Sequence, residues 1–326
     1  MKKVIVTGGC GFIGSHLTEK LINLGYKVIV IDNLSTGRLE NISNFKNKLK
    51  FYKLDIKYQN RIEHLFKDID IVFHCAALAD IVPSIQKPKK YHESNVTGSL
   101  NVVSSCVKYN VKKIIYTASS SCYGINNNTP TSEDEKINPE YPYALTKYLG
   151  EQIILHWSKV YKLNCISLRL FNVYGPKSRT SGTYGAMFGT FLTQKLFNQP
   201  FTVVGNGKQT RDFTYVSDIV DALIAAAKSK IKLDVMNVGS GESVSVNRII
   251  KLLKGKSVKI PKRPGEPNIT FADIRKIRRK LKWKPKIKIE KGIKFLLNNI
   301  DYWRKAPVWT PKKIEIATKD WFNYLK

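Results

Sequence analysis

A short β-branched strand that breaks into three glycines and then into a helix constrains this chain more than any other stretch. Val4-Ile5-Val6 reads as a buried parallel strand, and Phe12 to Leu24 carries apolar residues at helical spacing. Between them Gly8, Gly11 and Gly14 stand in the run Thr7-Gly8-Gly9-Cys10-Gly11-Phe12-Ile13-Gly14. A turn this tight needs backbone without Cβ, so that amides at a helix N-terminus reach a pyrophosphate while the helix packs closely on the strand. The Gly-x-x-Gly-x-x-Gly spacing differs by one residue from the commoner Gly-x-Gly-x-x-Gly, and alone it would be a weak signal. A second strand, Val28-Ile29-Val30-Ile31, strengthens it by ending at Asp32, where a carboxylate is expected on the adenosine ribose. A 2′-phosphate would meet Asp32 as a like charge, so NAD is expected over NADP.

The strand rhythm continues. Lys50 to Leu54 ends at Asp55, Asp70 to Phe73 leads into His74-Cys75-Ala76-Ala77, and Lys113 to Thr117 runs into Ala118-Ser119-Ser120-Ser121. Strands alternating with helix-length segments predict an α/β fold, a Rossmann-type doubly wound parallel sheet with a smaller C-terminal substrate-binding lobe. Ligands in such sheets bind beyond the C-terminal strand ends, where Asp55, Ala76, Ala77 and Ser119 fall. A soft boundary near Tyr174-Gly175-Pro176 gives an NAD-binding domain over 1–174, to which later segments return, and a substrate lobe with a C-terminal helix over 175–326.

Tyr143 and Lys147 stand at i and i+4 on a segment of helical composition and so share one face. A tyrosine at its solution pKa is a poor base at neutral pH, and a neighbouring ammonium is expected to lower that pKa. The Ser119 hydroxyl completes the set by sharing the substrate proton. A Tyr-x-x-x-Lys match is common by chance, usually as a surface aromatic on a lysine stem. Its place after a dinucleotide motif and a serine cluster argues for proton transfer beside a nicotinamide.

These residues carry a resemblance to the extended short-chain dehydrogenase/reductase family, in its NAD-dependent nucleotide-sugar epimerase/dehydratase branch, which includes UDP-glucose and UDP-N-acetylglucosamine 4-epimerases. It extends to about residue 300 through TGGCGFIGSHL, IDNLSTG, FHCAALADIVPSI, NVTGSLNVV, YTASSSCYG, YPYALTKYLGE, LRLFNVYGP, TRDFTYVSDIVDA, NVGSGESVSV and KRPGEPNITFADIRK. The resemblance implies Ser119, Tyr143 and Lys147 as the catalytic triad. It implies a tightly held NAD against Gly8, Gly11, Phe12, Ile13, Gly14, Asp32, Asn33, Asp55, Ile56, Ala76, Ala77, Asn95, Tyr143 and Lys147. It further implies that Asn172, Arg211 and Arg263 hold the nucleotide diphosphate and its neighbourhood, with Ser121, Glu266 and Thr270 as further substrate contacts. Two guanidiniums suit a dianionic diphosphate.

Reaction type follows from the residues after Ser119. Dehydratases resembling this chain carry Asp-Glu there and decarboxylases keep a Glu, whereas this chain has Ser120 and Ser121, neither of which is a carboxyl acid or base. Epimerases working through C3 and C5 carbanions place a cysteine where Ser121 stands; Cys122 is one residue further and reads as a buried small hydrophobe. The expected activity is therefore 4-epimerisation, in which C4 is oxidised to a transient 4-keto sugar and the hydride returns to the opposite face. A 4-dehydrogenase or 4,6-dehydratase on another nucleotide sugar stands as the alternative, and a non-catalytic NAD-binding protein is disfavoured by the intact triad. In the resembling family the residue seven after the diphosphate arginine lies beside the sugar's C2 substituent. Thr270 stands there and leaves room for an N-acetyl group, and the segment Gly182-Thr183-Tyr184-Gly185-Ala186 resembles the loop of epimerases that accept N-acetylhexosamines.

A formal charge of +30, with 55 basic residues, raises nucleic acid as a partner. The most basic run, Arg275 to Lys284, keeps Ile274, Ile277 and Leu281 at helical intervals and so reads as the solvated face of a packed helix. Neither nucleic acid nor a membrane span is expected, and no metal site; the partners expected are a nucleotide sugar and a second copy of the chain in a homodimer. Five cysteines without disulfide or metal spacing suit a reducing cytoplasm, and the expected setting is polysaccharide biosynthesis. Near the end, Thr310-Pro311 reads as N-cap and first residue of a final helix whose Ile314, Thr318, Trp321, Phe322 and Leu325 bury one face.

Overall fold

Alternation along each strand sorts the apolar residues onto two faces of one sheet. The structure, a computed structural model, describes residues 2–125, 128–178 and 187–325; the loop 182–186, read above as favouring N-acetylhexosamines, lies outside the described residues. Seven parallel strands, β1 (Lys3–Thr7), β2 (Lys27–Ile31), β3 (Leu49–Tyr52), β4 (Ile71–His74), β5 (Lys113–Ser119), β6 (Asn164–Leu170) and β7 (Leu233–Val238), lie in the order β7-β6-β5-β4-β1-β2-β3. In β1, Val4 and Val6 join one buried cluster and Ile5 the other; in β4, Ile71 and Phe73 face Val72 in the same way. Both faces are thus apolar, as a sheet covered by helices on both sides requires.

The helices are α1 (Phe12–Asn23), α2 (Gly98–Lys108), α3 (Pro142–Val160) and α4 (Val216–Lys228). Leu17 and Leu21 of α1 and Ile219 and Leu223 of α4 fill the first face, while Val102 and Cys106 of α2 and Ile154 of α3 fill the second. Strand β1 lies between β2 and β4, so the order reverses there and a crevice opens beyond the C-terminal ends of β1 and β4.

After Tyr174 the chain leaves the sheet, returns for α4 and β7, and leaves again. A separate buried cluster gathers Tyr174, Phe188, Phe191, Phe201, Ile249, Leu296 and Trp303. The basic run forms the helix Arg275–Leu281: Ile274 and Ile277 are buried against the sheet, and Lys276 and Lys280 pair with Asp234 at 2.8 and 2.5 Å. Two of the run's ammonium groups thus share one carboxylate of β7. The last helix, α5 (Pro311–Tyr324), starts as its sequence predicts, with the Thr310 hydroxyl accepting from the Lys313 amide and Ile314, Thr318 and Trp321 buried. Among the described residues, no helix is long and apolar enough to cross a membrane.

Candidate active site

One cavity of about 640 Å³ runs from the glycine turn to the C-terminal segment, and every residue expected above to touch cofactor or substrate lines it, except Asn95. At its first end Gly8 takes φ +71°, a left-handed conformation, and a Cβ there would come within 2.7 Å of the Ala76 amide nitrogen. A Cβ on Gly14 would lie 2.0 Å from the Gly8 carbonyl oxygen. The bare backbone these glycines leave at the N-terminus of α1 suits a pyrophosphate. Asp32 immediately follows β2 and accepts from the amides of Cys10 and Leu34 at 2.9 and 2.8 Å. Burial pushes its pKa up, and those two amides pull it back. Asn33 donates to Asp55 at 3.0 Å, so the polar groups at the ends of β2 and β3 are held together. Cradle, carboxylate and cavity fit a dinucleotide.

Asn95 is placed otherwise. Its amide accepts from Leu78 N at 2.8 Å and donates to Leu78 O and Thr146 Oγ1 at 3.0 and 3.1 Å. The side chain, 1% exposed, therefore clamps the loop after β4 to α3 and does not line the cavity. Beneath that loop His74 is fully buried, accepting at Nδ1 from the Thr7 hydroxyl and donating at Nε2 to Ser99, a tautomer assigned from Ser99 donating onward to the Asn95 carbonyl. Burial takes its pKa down to about 3.

Ser119 is the last residue of β5, and Tyr143 and Lys147 project from the first turns of α3. Pro142 at the first helical position fixes where α3 begins. Ser119 Oγ accepts from the Ser121 amide at 3.2 Å and shares a hydrogen bond with Ser121 Oγ at 2.7 Å. The Tyr143 ring is held between Tyr141, stacked at 6.4 Å, and Tyr91, edge-on at 6.4 Å. Burial raises the Tyr143 pKa, and Ser119 acts against that rise without cancelling it. The Lys147 ammonium, expected to lower the Tyr143 pKa, sits over the ring of Tyr116, 4.2 Å from its centroid. Burial takes Lys147 down to about 7, so near neutral pH it carries only part of a charge. Cys122 is buried, its thiol pushed up to about 12.

At the far end Arg263 pairs with Glu266 at 3.0 Å, so Glu266 reaches the cavity as a partner of that guanidinium. Thr270 Oγ1 donates to Asn172 Oδ1 at 2.8 Å. Asp212, fully buried, accepts from Ser240 N and Ala272 N at 2.5 and 3.1 Å and so anchors the backbone next to Arg211. Burial pulls the Arg211 pKa down, yet a guanidinium stays charged.

Among the cavity residues that escaped the sequence reading are Asp80, Tyr141, Tyr302 and Trp321. Asp80 takes φ +82°, a strained conformation for a non-glycine residue, and its charge acts on Tyr143. Tyr302 donates to Asn41 Oδ1 at 3.1 Å from 261 residues away. Tyr141 had a signal, being two residues before Tyr143 in the same motif; the other three had none.

The model of the NAD-dependent epimerase/dehydratase family matches residues 4–239. The UDP-glucose 4-epimerase of Thermotoga maritima, solved with UDP-glucose, is 35% identical, with a TM-score of 0.86 over 93% of this chain and 99% of that one. The UDP-glucuronic acid 4-epimerase of Bacillus cereus, solved with UDP-glucuronic acid and NAD, is 31% identical, with a TM-score of 0.85 over 93% of this chain and 99% of that one. A UDP-N-acetyl-alpha-D-glucosaminuronate decarboxylase of Bacillus cytotoxicus is 32% identical over 314 residues, 90% of this chain and 96% of that protein.

Proposed function

The chain belongs to the NAD-dependent epimerase/dehydratase family, and on that premise we propose that it is a nucleotide-sugar 4-epimerase, inverting C4 of a hexose through a transient 4-keto sugar. The observation that carries this reading is the Ser119, Ser120, Ser121 run at the end of β5, where Ser119 and Ser121 share a hydrogen bond beside Tyr143 and no carboxyl acid or base follows Ser119. When bound, NAD supplies the two-electron oxidant for C4 and, with no net redox change, the reductant that restores the alcohol. Gly8, Gly11 and Gly14 bring bare backbone to its pyrophosphate, and Asp32 meets its ribose. Tyr143 takes the C4 hydroxyl proton and later returns it, with Ser119 sharing that proton. Arg211 and Arg263 hold the substrate diphosphate, remote binding that leaves the hexose free to turn between the two transfers. Asp80, a carboxylate that also lines the cavity, is the observation on which a 4,6-dehydratase stands as the second reading.

Incubation with UDP-, dTDP-, CDP- and GDP-hexoses, followed by NMR of the sugar and absorbance of reduced NAD, separates the readings. Interconversion at C4 without accumulating NADH is expected; a released 4-keto or 4-keto-6-deoxy product would defeat the proposal. Denatured protein is expected to release NAD or NADH, because a 2′-phosphate would face the Asp32 charge. An extract holding mostly NADP(H) would remove Asp32 from the ribose.

The Thr270–Asn172 hydrogen bond brings a small side chain to the sugar end, where an aromatic would overpack the cavity. Thr270→Tyr is expected to depress turnover of UDP-N-acetylglucosamine roughly 5- to 150-fold more than that of UDP-glucose. Equal loss on both substrates would sink that assignment.

A further inference from the structure

Helix α5 reaches the cavity from the end of the chain. Trp321, 3% exposed, is one of the residues that line it. Its indole ring lies against the Arg263 guanidinium, 5.2 Å from centroid to Cζ, and its Nε1 donates to the Pro264 carbonyl at 2.7 Å. The same ring therefore fixes both the side chain of Arg263 and the backbone beside it, while Glu266 holds the guanidinium from the third residue on. One residue before Trp321, Asp320 accepts from Gln86 Nε2 at 2.9 Å. Gln86 ends the short helix Ile81–Gln86, whose N-cap is Asp80, a neighbour of Tyr143 in charge and in the cavity. One turn of α5 thus ties the Arg263 loop to the segment flanking the proposed general base.

The geometry points to Trp321 as a positioning residue for the nucleotide sugar: its indole holds the Arg263 guanidinium ready for the substrate diphosphate, and α5 fixes that donor relative to the catalytic end. This rests on the reading that Arg263 meets the diphosphate. An arginine side chain left to itself loses rotamer freedom when it engages an anion, which costs affinity. A guanidinium already stacked on a buried indole has given up that freedom before the substrate arrives, and the ring attracts its charge without neutralising it.

The test uses the full chain with its bound NAD. UDP, dTDP, CDP and GDP are titrated calorimetrically into the parent, Trp321→Leu and Trp321→Phe, and NAD content, KM and kcat are measured on each. Trp321→Leu is expected to weaken binding of the preferred diphosphate roughly thirtyfold, the size of a desolvated cation–π contact. KM should rise in step while kcat and NAD content stay near the parent's, and Trp321→Phe, which restores an aromatic face, should fall between the two. Parental affinity in Trp321→Leu overturns the proposal. So does loss of NAD together with the diphosphate, which would make α5 a structural element only. A parent that binds none of the four diphosphates refutes the substrate reading itself, a result distinct from both.

Discussion

Tyr143→Phe is expected to lower turnover by ~10²–10⁴-fold while NAD and nucleoside diphosphate still bind. The substitution removes one oxygen and leaves the ring between Tyr91 and Tyr141, so packing is retained. The lost oxygen is the titrating group whose pKa burial raises and Ser119 acts to lower. The site handles charge reluctantly: burial opposes the phenolate of Tyr143 and the ammonium of Lys147 alike. Ser119 offsets part of that burial at Tyr143, and Ser119→Ala is expected to follow Tyr143→Phe in direction. Steady-state rates on the preferred nucleotide sugar, with NAD content as the control, check both. Turnover in Tyr143→Phe within a few-fold of the parent would exclude the tyrosine as base.

Glu151→Leu is expected to cost about 3–5 kcal/mol of stability, because it strands a buried cation. Arg169 and Glu151 have side chains 6% and 1% exposed and pair at 2.8 Å across α3 and β6. Arg169 Nε bonds both carboxylate oxygens at 3.1 Å, and Nη1 donates to Tyr123 Oη at 2.9 Å. Tyr123 in turn donates to Asn237 of β7 at 2.7 Å, so the network joins α3 to two strands. Denaturant melts of the single variant and of Glu151→Leu with Arg169→Met separate the causes. The double variant should recover much of the loss, since a buried pair replaced by apolar groups is often nearly neutral. No recovery would point to lost packing in place of a stranded charge. The reach extends to the site: Glu151 lies one turn beyond Lys147 and raises its pKa, so removing Glu151 should lower it further below its value of about 7.

Much of this was local in sequence and therefore legible there. The β-branched runs, the glycine turn and Asp32 specify strand, turn and cavity-lining carboxylate within about thirty residues, because period-two alternation and missing Cβ atoms act over a few bonds. The i, i+4 spacing put Tyr143 and Lys147 on one face of α3 for the same reason. Tertiary structure decided what those side chains then touch. Lys147 turned to the Tyr116 ring because β5 runs directly beneath α3. Asn95 became a clamp because the loop after β4 offers it the backbone of Leu78. Trp321 joined the cavity from a segment whose own pattern predicted only a capped amphipathic helix, and Tyr302 from the turn before it, their partners Arg263 and Asn41 being far along the chain. Periodicity reports which face of an element is buried; which neighbour covers that face is set by how the elements pack, and no local pattern encodes it.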